Sequence, residues 1–138
     1  MSNSSLERLT EIGKLKIEPY SKSEFMGLYS SGLARLEDAR KRDLNLESRF
    51  DLAYNAAHSL ALAALRRYGY RSENRYLVFQ CLRHTADLPN EMWRVLDQAH
   101  RKRNLAEYEG YLDIDEHLID AVIRVSTEIV NRLRDDVD

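Results

Sequence analysis

The residues from His100 to Tyr111 gather the side chains of this sequence best suited to handling a phosphate. His100, Arg101, Lys102, Arg103 and Asn104 are followed by Glu107, Tyr108 and Tyr111. At 3.6 residues per turn, Arg101, Asn104 and Tyr108 share one stripe of a helix, and His100, Arg103 and Glu107 share the adjacent one. A guanidinium is planar, permanently charged and forked, so it can hold two phosphate oxygens at once. The same spacing also describes an ordinary Arg103–Glu107 pair on a helix surface, with Tyr108 half-buried beside it.

Other chemistries lack their residues. No Gly-rich phosphate loop, zinc-type Cys/His spacing, His-Glu-x-x-His or nucleophile elbow occurs, so neither a metal nor a cofactor is expected. Cys81 is the only cysteine and cannot close an internal disulfide. His58 falls on an apolar helix and reads as a hydrogen-bonded core residue. His84 falls near a helix end, where the dipole favours its charge.

The formal net charge of -2 conceals a polarised chain. Residues 66–103 carry nine basic and four acidic side chains, whereas residues 104–138 carry three basic and ten acidic. The basic middle either attracts a phosphate backbone or packs against the acidic tail and is neutralised by it. The N-terminal residues lack the apolar core of a secretory signal. The near-apolar stretch Leu52–Leu65 is too short to span a bilayer. A cytoplasmic protein without a membrane segment is expected.

Positioning these residues falls to helices. With 138 residues, 5 Gly and 2 Pro, the chain suits one domain built of long helices rather than many short strands. Residues 1–20 read as a lead-in, with Leu6, Leu9 and Ile12 at helical spacing before Gly13 and Pro19. Ser21 and Glu24 form a capping box for a helix whose apolar face carries Phe25, Leu28, Gly32, Leu36 and Ala39. Asn45 caps a second helix, apolar on nearly every side from Leu52 to Leu65 and closed by Gly69. Such a helix is normally the central, buried one. Ser72 opens a third, which closes before Pro89. Asn90 caps a fourth that ends at Gly110. Asp113 to Glu116 opens a fifth, with Leu118, Val122, Val125, Ile129 and Leu133 on its apolar face. No strand pattern of useful length appears. The expected fold is an all-α, antiparallel up-and-down bundle of four to five helices over residues 21–138.

Two stretches together resemble a known family. The Ala-rich helix from Phe50 to Gly69, running through Tyr54, Asn55 and His58 to Arg66-Arg67-Tyr68-Gly69, looks like the central helix of HEPN domains (higher eukaryotes and prokaryotes nucleotide-binding). Arg103-Asn104-Leu105-Ala106-Glu107-Tyr108 resembles the late-helix signature of that family, and the likeness covers roughly residues 22–134. It implies a bundle that homodimerises, with signature helices facing across a cleft. It also implies RNA as a substrate or ligand, a toxin–antitoxin or defence setting, and a nucleotidyltransferase-type antitoxin partner.

By this likeness the catalytic positions are Arg103, Asn104 and Tyr108, with Arg101, Lys102 and Arg103 holding phosphate. Tyr108 and Tyr111 are candidate acceptors for nucleotidylation by a partner. The family's ribonuclease motif pairs an Arg with a His four to six residues later, and here Tyr108 stands at the His position. A phenol with a pKa near 10 is a poor base at neutral pH, whereas an imidazole near 6.5 is well matched. The resemblance therefore implies a degenerate metal-independent ribonuclease. A non-catalytic helical module that docks a partner protein is the alternative reading.

Overall fold

Several helices of this chain begin where a short polar side chain can take up the first free amide hydrogens, and the computed structural model describes the chain over residues 4–137. The elements are α1 (Ser4–Glu11), β1 (Lys16–Ile17), α2 (Lys22–Ala39), α3 (Leu46–Arg66), β2 (Tyr70–Arg71), α4 (Arg75–Gln80), α5 (Leu82–Thr85), α6 (Asn90–Glu109) and α7 (Glu116–Leu133). A 3-10 turn, Arg134–Asp136, follows α7.

Ser21 accepts from the Glu24 N–H (3.3 Å), Asn45 from Ser48 (2.8 Å) and Asp115 from Leu118 (2.9 Å), each a capping bond. Gly69 and Gly110, at φ 83° and 79°, take the left-handed conformation that ends α3 and α6. Three expected helix starts differ. Glu24 turns its carboxylate to Arg66 and Arg71 rather than back to the cap. Asn74, not Ser72, caps α4 by accepting from Leu77 at 3.1 Å. Pro89 precedes α6 with no side-chain cap, and Asn90 instead accepts from the Trp93 indole at 3.0 Å.

Paired side chains give the helix directions. Glu24 near the start of α2 meets Arg66 at the end of α3, and Arg49 near the start of α3 donates to the Ala39 carbonyl at 2.9 Å. α2 and α3 are therefore antiparallel. Arg49 also meets Glu116 and Asp120 of α7, both at 3.3 Å, while Arg67 reaches Asp136 at 2.6 Å, so α3 and α7 are parallel. Arg132 late in α7 donates to the Ala86 and Asp87 carbonyls before α6. The four long helices thus alternate in direction, as a bundle of sequential helices does.

α3 is the centre, as its all-round apolarity requires. Phe50, Ala53, Tyr54, Ala56, Ala57 and every residue from Leu60 to Arg66 are buried. Small residues set the spacing. A Cβ added to Gly32 of α2 would lie 2.6 Å from Leu60 Cγ, so only glycine admits this approach.

The structure departs from the expected bundle in two places. The third helix is broken at Cys81 into α4 and α5. Leu77, Val78, Phe79, Cys81 and Leu82 are all buried, more than one stripe of a straight helix can cover. The lead-in is built into the domain, with Leu6 and Leu15 buried. β1 pairs antiparallel with β2 (Lys16 opposite Arg71, Ile17 opposite Tyr70), in strands too short to leave an alternating pattern. Among the described residues, no helix is long and apolar enough to cross a membrane.

Candidate functional site

Tyr54 is buried in the middle of the apolar α3, and its hydroxyl needs a partner that the alanines around it cannot supply. That partner comes from α6: the hydroxyl lies 2.8 Å from His100 Nδ1. The two rings stack with centroids 6.3 Å apart, and Phe79 of α4 meets both edge-on. On its other side His100 Nε2 lies 3.1 Å from the Asn104 amide nitrogen. An amide NH2 only donates, so Nε2 accepts, and Nδ1 carries the proton given to Tyr54. Three helices thereby fix one imidazole in one neutral form.

Two guanidiniums converge on the same ring. The Arg103 carbon is 5.1 Å from the Tyr54 centroid and the Arg75 carbon 5.4 Å, both within cation–π range. Arg75 also donates to Asn55 at 3.1 Å. Among the described residues, neither arginine pairs with a carboxylate. Two like charges beside one ring, without a carboxylate to offset them, make a local positive potential that attracts an anion.

The fate of the basic middle sharpens this observation. Arg66 and Arg71 are neutralised by Glu18 and Glu24, Arg67 by Asp136, Arg101 by Asp97 and Lys102 by Asp113. Among the described residues, only Arg67 and Lys102 of this segment meet the acidic tail. Among the described residues, Arg75, Arg83, Arg94 and Arg103 are left without a carboxylate, and Arg75 and Arg103 both lie over the Tyr54 ring.

The imidazoles respond to this field. Burial, helped by Arg75, His100 and Arg103, lowers the pKa of His58 to about 4. Its Nε2 is buried without a hydrogen-bond partner among the described residues, and its ring meets Phe79 edge-on. The expected hydrogen-bonded core histidine is therefore corrected: His58 is a neutral ring facing a cationic cluster. His100 is lowered by burial first, then by Arg103 and Arg75, with Asp97 opposing. His84 is also lowered, by burial and Arg83.

No family model, curated protein or solved structure matches the chain. The site therefore rests on its own geometry. Of the sequence-expected residues, Arg103 and Asn104 join the cluster. Arg101 instead pairs with Asp97 at 3.1 Å and Lys102 with Asp113 at 3.2 Å, on other faces of α6. The expected Arg103–Glu107 ion pair does not form. Tyr108, one turn beyond Asn104, is 89% exposed and Tyr111 62%. Neither phenol makes a hydrogen bond or ring contact among the described residues.

In the sequence Tyr54 belongs to the Ala-rich central helix, and neither it nor Arg75 nor Phe79 stands out as a site residue. A lone phenol in an alanine-rich buried helix was the available signal, because a buried hydroxyl implies a polar visitor. Arg75 gave none, since its role depends on how α4 lies across α3.

Proposed function

We propose that this chain is a HEPN-like protein that binds the phosphate of RNA or a nucleotide at Arg75 and Arg103, the two guanidiniums held over the buried Tyr54 ring. The observation that carries the reading is the meeting of two carboxylate-free guanidiniums on one ring, beside an imidazole and a side-chain amide. Guanidiniums supply charge and forked donors, and Asn104 adds a neutral donor. In this reading the protein is a cytoplasmic homodimer of a prokaryotic toxin–antitoxin or defence system, with a nucleotidyltransferase-type antitoxin as partner. It is a weak or degenerate metal-independent ribonuclease.

Arg103 steadies the scissile phosphate, and His100 Nε2 takes a proton only when Asn104 turns away from it, which fits a weak or degenerate nuclease. A base must first be within reach. His100 is hydrogen-bonded to Asn104, whereas Tyr108 projects into solvent. Tyr108 and Tyr111 are accessible to a modifying partner.

The test is titration with a single-stranded RNA oligonucleotide across a range of salt, followed by a cleavage assay. Two phosphate contacts give a log–log slope of about -1.4 against salt. Arg103→Ala is expected to weaken binding about tenfold and flatten the slope by about 0.7. Any cleavage should disappear in the same variant. Absence of binding by both proteins would remove this reading.

One observation favours a second reading, the non-catalytic module. Leu105 (48% exposed), Tyr108 and Tyr111 present apolar surface near the end of α6, as a protein-docking surface does. Complex formation that persists at high salt would support it, because apolar contacts are not screened.

A further inference from the structure

A cavity of about 250 Å³ lies between α1 and the α4–α5 segment, on residues that none of the phosphate cluster shares. Leu9, Leu77 and the buried Cys81 form its apolar part. Burial raises the Cys81 thiol to about 11, so this surface stays uncharged through the neutral range. Arg8, Arg83 and His84 stand around it, and no acidic residue lines it.

A second depression, of about 320 Å³, adjoins it through the shared Leu77 and Gln80. It contributes Lys14 and likewise no acid. Among the described residues, Arg8, Lys14 and Arg83 have no carboxylate partner. In a chain with more acidic than basic residues, a groove whose only charges are cations is selective by sign.

The geometry points to a binding site for a small amphiphilic anion, an acyl or aryl carboxylate. Its apolar part lies over Leu9 and Leu77, and its carboxylate meets Arg8 and Arg83. Small-molecule sites pair an apolar lining with a few polar groups that fix orientation, in volumes of roughly 300–1,000 Å³. The two adjoining depressions fall in that range together. Arginine suits the polar end because its fork matches a carboxylate. This site is independent of the Tyr54 cluster, and its failure would leave the phosphate reading untouched.

Octanoate is the probe, with 1-octanol as its uncharged counterpart, both followed by calorimetry on the full chain. One-site saturable binding of octanoate is expected with Kd below about 1 mM. 1-Octanol and the Arg8→Glu/Arg83→Glu variant are each expected to lose at least about tenfold. Both arginines are exposed, so the reversal should leave the fold intact, which circular dichroism checks. Arg94→Glu, an exposed reversal outside this groove, should bind octanoate as the unaltered protein does. Non-saturable binding, equal affinity for octanol, an unaffected Arg8/Arg83 variant or an equal loss in Arg94→Glu would each overturn the assignment.

Discussion

Arg66→Met is expected to destabilise the fold by about 2–3 kcal/mol, the cost of leaving several carbonyl acceptors without their charged donor. Arg66 is 1% exposed at the end of α3. It bonds Glu24, donates to the Glu18 and Pro19 carbonyls at 2.8 and 2.7 Å, and reaches the Tyr70 carbonyl at 3.3 Å. These acceptors come from the chain entering α2 and from β2, so one side chain fastens three segments around Gly69. Methionine fills similar space but leaves three carbonyls without this donor, each a cost when water cannot reach it.

Glu24 keeps Arg71, which moderates the loss. Its pKa, held low chiefly by the Arg66 bond, should rise towards the ordinary carboxylate value. Since a domain of this kind holds only about 5–15 kcal/mol in all, the variant would lose a substantial share of it. Urea unfolding checks this. A midpoint shift equivalent to less than about 1 kcal/mol, at unchanged slope, would show the fork to be dispensable.

The acid limb of stability should depend on His58. Its folded pKa of about 4 lies below the ordinary 6.5, so the unfolded chain binds the proton more readily. The resulting stability is complete above pH 6.5 and is lost as pH falls towards 4. The gap corresponds to about 3 kcal/mol. Burial and the neighbouring arginines lower His84 and His100 as well, so the whole limb slopes the same way. The contribution of His58 is read as a difference. Between pH 7 and pH 4, His58→Leu should lose about 3 kcal/mol less stability than the unaltered protein. Equal losses would place the imidazole in a wetter and less cationic setting than the structure gives it.

What could be read from the sequence follows the range of the interactions concerned. The caps at Asn45 and Asp115 act within three residues, and the centrality of α3 follows from its alanines and leucines alone. Gly32 could be placed on an apolar face, but not opposite Leu60. Arg66 reads as a cation at a helix C-terminus, a position the dipole explains well enough. Its actual partners lie up to 48 residues away. The Tyr54–His100 bond spans 46 residues and needs the angle between α3 and α6, which no periodicity encodes. Tyr108 shows the converse. Helical spacing correctly sets it one turn from Asn104, yet spacing cannot show where a helix outruns the body that it packs against. Arg101 and Lys102 look equivalent to Arg103 in sequence and differ only in the carboxylate each one meets.

The central claim is that phosphate binds where Arg75 and Arg103 share the Tyr54 ring. The most direct measurement compares the affinity of a short single-stranded RNA for three proteins at one salt concentration. These are the unaltered chain, Arg75→Glu/Arg103→Glu, and Arg94→Glu. Arg94 is exposed and equally without a carboxylate among the described residues, so it controls for net charge. Loss of about a hundredfold or more in the double variant, with Arg94→Glu within about threefold of the unaltered chain, is the predicted result. Equal losses per reversed charge at all three positions would contradict it, because binding would then follow overall charge and not this site.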